Sequence, residues 1–179
     1  MNKRVGRGLG VLMCLLADVA LAADVITYRS DQTPDPATVA RILNPEAAPK
    51  LKFRSLRLLP DAQAETAKSF AVQIQFAFNS AQLQGRSHEQ LDAIAEGIRQ
   101  AGPGTRIVIE GHTDAVGGAE YNAILSYKRA AVVQAYLAEK HGINPADLRV
   151  LAKGKDAPLA GVDPLAPQNR RVEFRPDRS

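Results

Sequence analysis

The stretch IVIEGHTDAVGGAEYNAILSYKRA, residues 107–130, passes from one periodicity to another across a single glycine-marked loop. Ile107, Val108 and Ile109 form a compact β-branched run that closes at Gly111, which predicts a strand. Gly117 and Gly118 supply a turn. From Ala119 the pattern is helical to about Lys140, and Gly142 stands where a helix prefers a left-handed residue just past its end. A strand, a glycine loop and a long helix in succession predict a rim at the end of a sheet, where loop side chains converge.

Upstream, Val72, Ile74, Phe76 and Phe78 alternate with Gln73, Gln75 and Ala77, the period of a half-buried strand. Ser87 with Gln90 three residues on has capping-box spacing, and Leu91, Ile94, Ala95 and Ile98 then recur at helical intervals. Gly102, Pro103 and Gly104 end that helix. Downstream, Leu148 to Ala152 and Arg171 to Phe174 read as two short strands. The order strand, helix, strand, helix, strand, strand predicts an α+β two-layer sandwich over residues 70–179, a mixed sheet with both helices on one face.

Before this domain, residues 23–69 contain Pro34, Pro36, Pro45, Pro49 and Pro60 and sustain no period, which predicts a tether. Within it, Asp35 followed by Pro36 is a helix-start signal leading into Val39, Ile42 and Leu43. That short element reads either as a solvated spacer or as a docking segment for another protein. Residues 1–22 have the plan of a signal peptide: Lys3, Arg4 and Arg7, an apolar run from Leu9 to Leu16, and Ala20, Leu21, Ala22 at the cleavage site. The alternative is an uncleaved anchor, with Asp18 inside an apolar stretch of about 16 residues, short of the roughly 20 that span a bilayer.

Removing residues 1–22 takes away three cations and one anion, lowering the formal charge from +4 to +2. A basic nucleic-acid-binding surface is therefore not expected. The single cysteine, Cys14, falls in the leader, so no disulfide is expected beyond it. His88, His112 and His141 lack metal-ligand spacing, and neither metal nor cofactor is expected.

Two features carry candidate chemistry. Asp114 stands just past a strand end, ahead of the glycine turn, as a turn residue or as a ligand-facing carboxylate. In the helix that follows, Tyr121, Leu125, Val132 and Tyr136 fall in one stripe, interrupted by Lys128 and Arg129. The interruption reads either as two snorkelling stems or as an anion site. Periodicity does not choose between Lys128 and Arg129, although arginine offers the planar fork that grips a carboxylate twice. His112, Asp114 and Ser126 are hydrolase residue types, but Ser126 sits inside a helix without the strained turn of a nucleophile. Binding without catalysis is the expectation.

Thr113, Asp114, Gly117, Tyr121, Asn122, Leu125, Ser126, Arg129 and Ala130, at their spacing, resemble the signature of the OmpA-like peptidoglycan-binding family. Phe76 to Asn79 and on to Leu83 resembles the family's first strand and turn, and Asn169 to Glu173 its last strand, so the resemblance covers residues 70–176. It implies a periplasmic, outer-membrane-associated domain that binds the diaminopimelate of peptidoglycan stem peptides. Asp114 would hold the ligand ammonium and Arg129 its carboxylate, with further contacts from Asn79, Thr113 and Asn122. Local roles compete for the last three, in shaping the turn, capping the loop and satisfying the first helical turn. Arg170 and Arg171 are expected at the sheet edge or on a solvated face. The resemblance also admits a stator-like or envelope-machine component held by an uncleaved anchor, with an envelope protein docking on residues 24–69.

Overall fold

The computed structural model describes residues 25–46, 68–77 and 80–179. The leader, residues 23–24 and 47–67 of the tether, Phe78 and Asn79 lie outside the described residues. The described elements run β1 (Val25–Tyr28), α1 (Pro36–Leu43), β2 (Ser69–Val72), α2 (Ser87–Ala101), β3 (Ile107–His112), α3 (Ala119–His141), β4 (Leu148–Gly154) and β5 (Val172–Pro176). The strands form one mixed sheet in the order β1-β2-β5-β3-β4. β1 and β2 are parallel, β3 and β4 are parallel, and β5 is antiparallel to both of its neighbours, β2 and β3. The α+β class and mixed sheet predicted from the pattern are those observed.

Ile26, Phe70, Phe174, Ile109 and Val150 line up in one row across all five strands. Phe70 stacks on Phe174 with centroids 5.0 Å apart, and Tyr28 meets Phe70 edge-on at 6.5 Å. This row packs with Leu91, Ile94 and Ile98 of α2 and Val133 and Leu137 of α3 in a single core. Each fully buried large apolar side chain there contributes about 1.5–3 kcal/mol. The neighbouring row, Thr27, Ala71, Glu173, Glu110 and Leu151, faces the other way, because successive side chains alternate across a sheet. One face is thus apolar and helix-covered, and the other carries carboxylates.

Residues 25–46 depart from the tether reading. β1 pairs with β2 over four residues, and Val39, Ile42 and Leu43 of α1 are buried in the same core. The cause is local chemistry that survives the proline content: the Asp35 carboxylate accepts from the Thr38 amide and hydroxyl, both at 2.9 Å, and Pro36 opens the helix. α1 then nests against α2 at Gly97, where an added Cβ would lie 2.5 Å from the Val39 Cβ. Its apolar face belongs to the chain's own core.

Two further expectations are corrected. The strand from Phe70 leaves the ladder after Val72, since β5 begins opposite Val72 and offers no partner beyond it. Phe76 instead bridges Leu83 in a loop. Ser87 and Gln90 form no capping box either. The Ser87 hydroxyl accepts from the Gln75 amide at 2.8 Å and donates to its carbonyl, while the Gln90 amide donates to the carbonyls of Arg29 and Gln32. Both residues fasten neighbouring loops to α2. At the other end, Gly142 takes the expected left-handed conformation, φ 66°.

The seam between α2 and α3 is tied by Asp92, whose carboxylate accepts from Tyr136 at 2.8 Å and Lys140 at 2.9 Å and meets His141 at 2.7 Å. Burial works against its ionisation, yet the hydrogen bonds from Lys140, Tyr136 and His141 hold this carboxyl at about 2.

Because α1 is part of the core, Ile42→Ala is expected to lower unfolding stability by about 2–5 kcal/mol, the range for buried truncations. Chemical denaturation of the two proteins measures it. A change within about 0.5 kcal/mol would return the segment to the status of a solvated spacer.

Candidate functional site

The loop between β3 and α3 is fixed by backbone and side-chain hydrogen bonds. The Thr113 amide donates to the Gly154 carbonyl at 2.8 Å, and the Ala115 amide to Pro164 at 2.9 Å. Asp114 Oδ1 accepts from the Val116 amide at 3.2 Å, closing a local turn. Gly117, with φ 91°, then reverses the chain, and the buried Asn122 amide donates to the Val116 carbonyl at 2.8 Å. Asn122 therefore holds the loop from the helix. Thr113 is also buried, and its hydroxyl has no hydrogen-bond partner among the described residues.

The helix is seated differently from the expected stripe. Its buried line is Asn122, Ser126, Ala130, Val133 and Leu137, while Tyr121 stays half exposed. The physical reason is closeness to the sheet: a Cβ on Gly111 would lie 2.0 Å from the Ser126 carbonyl oxygen. Only small side chains fit beneath the first turns of α3. The Ser126 hydroxyl accepts from the Gly154 amide at 3.1 Å, pinning the helix to the end of β4 as well.

This seating places the two cations differently. Lys128 is exposed, whereas Arg129, beside the buried Ala130, turns into a groove of about 880 Å³ that Asp114 and Thr113 also line. The Arg129 guanidinium lies over the Phe76 ring, 4.9 Å from its centroid, and Nε reaches the Ser80 carbonyl at 3.4 Å. Among the described residues it makes no ion pair. Burial, and then the positive charge of Arg170, hold it below the usual arginine range, with Tyr121 and Asp114 acting the other way.

Arg170, expected at an edge or on a solvated face, is more than half exposed and also lines the same groove. Its Nη1 lies 3.4 Å from Asp114 Oδ2. The preceding Asn169 is fully buried, accepting from the Leu159 amide at 2.9 Å and donating to the Asp163 carbonyl at 2.7 Å, which fixes the loop that presents Arg170. Asp114, Arg129 and Arg170 are the charged side chains lining the groove, so its formal charge is +1 among the described residues. Asn79 lies outside the described residues.

The hydrolase residue types are tied to separate partners. Ser126 donates to the Ala123 carbonyl, and His112 Nδ1 lies 3.2 Å from the Ala157 carbonyl, with Nε2 3.7 Å from Glu173. No proton relay joins them to Asp114. Burial, and then the positive charges of Arg171 and Lys153, depress His112 to about 3 against the pull of the Ala157 carbonyl.

A family model described as OmpA family matches residues 75–171, more than half of the sequence, and the match includes Asp114, Arg129 and Arg170. The chain belongs to the OmpA family. This OmpA-family chain is 41% identical over 102 residues to the peptidoglycan-associated lipoprotein of Pseudomonas aeruginosa, covering 56% of the chain and 59% of that relative. Among solved structures, the peptidoglycan-associated lipoprotein of Burkholderia pseudomallei superposes with a TM-score of 0.51 at 30% identity, covering 63% of the chain and 92% of that protein. The periplasmic domain of Helicobacter pylori MotB, at 22% identity and a TM-score of 0.52, covers 61% of the chain and 82% of that domain and shares the fold. The OmpA family is a family of non-catalytic domains. β1 and α1 precede the matched span.

Gly111→Ala must push α3 off the sheet, and overpacking of this kind costs about 1–3 kcal/mol or more; the expected result is a lower denaturation midpoint together with a displaced Arg129. Retention of wild-type stability would show that the helix yields freely. For His112, the sign follows from its depressed value: the folded chain stays neutral down to about 3, while the unfolded chain takes up a proton below about 6.5. Its contribution is present above pH 6.5 and is lost as pH falls toward 3. Between pH 6.5 and 4.5 stability is expected to drop by about 2 kcal/mol, and His112→Asn should flatten that slope in urea titrations at each pH.

Proposed function

We propose that the chain binds peptidoglycan without chemical transformation, on the periplasmic side of the outer membrane, by gripping the diaminopimelate of a stem peptide between Asp114 and Arg129. The observation that carries this reading is a partly buried carboxylate on the loop after β3 and a half-buried guanidinium on α3 lining one groove. The free end of diaminopimelate is a zwitterion, one ammonium beside one carboxylate. Recognising it takes one fixed anion and one fixed cation, and Arg129 makes no ion pair within the described chain.

Burial of Arg129 raises the worth of a carboxylate placed against it, because the surrounding dielectric is lower than in water. Phe76 beneath the guanidinium and Ser80 beside it restrict its orientation before the ligand arrives, which reduces the ordering cost on binding. The Thr113 hydroxyl, buried at the groove and without a partner among the described residues, supplies a further donor or acceptor to the ligand. Asn122 acts by holding the loop that carries Asp114, and Asn79 is proposed as a secondary contact. Relatives named for their association with peptidoglycan and with the outer membrane support both ligand and location.

Sedimentation with purified sacculi tests this directly. Asp114→Ala and Arg129→Ala are each expected to weaken binding by about 30-fold or more, as for truncation of one member of a buried charge pair. Walls carrying lysine in place of diaminopimelate should be bound more weakly, since lysine lacks the second zwitterionic end. Sedimentation of both variants at the wild-type level would exclude the site.

A further inference from the structure

We infer that Arg170 reads a second carboxylate of the ligand, so that the groove selects a stem-peptide segment with one ammonium and two carboxylates. The inference rests on the reading of Asp114 and Arg129 given above and extends it to a residue outside that pair.

The first reason is charge. Two guanidiniums and one carboxylate line the groove, so a neutral zwitterion seated between Asp114 and Arg129 would leave one positive charge uncompensated. The second is competition for Asp114. Its Oδ1 is taken by the Val116 amide, and Oδ2 is the oxygen that Arg170 reaches, at a long 3.4 Å. A ligand ammonium docking on Oδ2 displaces Arg170 from its only ion-pair partner among the described residues. The released guanidinium, more than half exposed and on a long stem, is then placed to meet a carboxylate of the ligand.

The third reason is placement. Arg170 follows a 3₁₀ turn, Pro167–Asn169, anchored by the fully buried Asn169, so the root of its side chain is fixed while its tip is free to move. Arg129 and Arg170 line the same groove, so both cations face one volume. Two carboxylates lie near the zwitterion in a stem peptide. One is the α-carboxylate of the γ-linked glutamate that precedes diaminopimelate, and the other is the terminal carboxylate present when diaminopimelate ends the peptide. Both present the same chemistry to Arg170.

Calorimetric titration of the full chain with soluble muropeptides separates the alternatives. The ligands are a tripeptide ending in diaminopimelate, a tetrapeptide in which that terminus is capped by alaninamide, and the same capped tetrapeptide with isoglutamine in place of glutamate. The wild type is expected to lose about tenfold in affinity when the second carboxylate is removed, the worth of one partly exposed charge-assisted hydrogen bond. A drop between tripeptide and tetrapeptide assigns the carboxylate to the terminus; a drop on amidation assigns it to glutamate. Arg170→Gln should bring the three ligands to within about twofold of one another, and Arg170→Lys should restore part of the discrimination. A uniform loss across all three in Arg170→Gln would make Arg170 a positioning residue for Asp114 and overturn the inference, as would no loss at all. Asp114→Asn run in parallel keeps the two readings apart. If it leaves every ligand bound as before, the underlying site is wrong; if it weakens all three while Arg170→Gln acts uniformly, the second-carboxylate role alone fails.

Discussion

The contact on which the groove depends is the approach of α3 to the sheet at Gly111, where the Ser126 carbonyl occupies the space a side chain would need. With no Cβ in the way, the first turns of the helix lie almost against β3, and the Ser126 hydroxyl ties them to the amide of Gly154. A helix seated one side chain further out would carry Arg129 away from the rim on which Asp114 stands. The geometry of two opposite charges is thus set by a residue that bears no charge and no side chain. Small residues beneath a functional helix are here a means of fixing distance.

The two faces of the sheet answer different demands. One is a dry packing surface centred on Phe70 and Phe174. The other brings Glu110 to Arg175 at 3.0 Å and Glu173 to Ser69 at 2.6 Å, with Arg171 and the neutral His112 beside them. Cations close to His112 are part of why it stays unprotonated, since a second positive charge next to Arg171 would be unfavourable at short range. Losing one partner from such a partly buried network leaves an uncompensated charge, which is costlier than the net worth of the pair. Through His112, this ionic face makes the fold sensitive to acidity independently of the groove.

Much of this was legible in sequence, and what was not has identifiable causes. The α+β order, the Gly142 stop and the rim position of Asp114 followed from periodicity and glycine punctuation. The helical stripe was misplaced by one residue because Tyr121, Leu125, Val132 and Tyr136 are large, and size usually marks the buried side. At a helix lying this close to its sheet the rule reverses, and Asn122, Ser126 and Ala130 go inward. Arg129 was consequently singled out by family resemblance, not by periodicity. Ser87 and Gln90 have capping-box spacing, but their partners are loops distant in sequence, which no local pattern reveals. Arg170 was missed because its place depends on strand order: it stands beside Asp114 only because β5 enters antiparallel between β2 and β3.

That strand order also has a temporal side. β5 is the last strand along the chain and the middle strand of the sheet, and its Glu173 meets Ser69 across a separation of 104 residues. Until it arrives, β2 and β3 have no common neighbour, Phe70 has nothing to stack on, and the loop bearing Arg170 has no fixed root. Such long-range closure is slow, because the entropy of bringing distant segments together is lost before most contacts form. Without β5 the sheet falls into two two-stranded halves, β1 with β2 and β3 with β4. The groove lined by Asp114, Arg129 and Arg170 is completed by the same strand that closes the sheet.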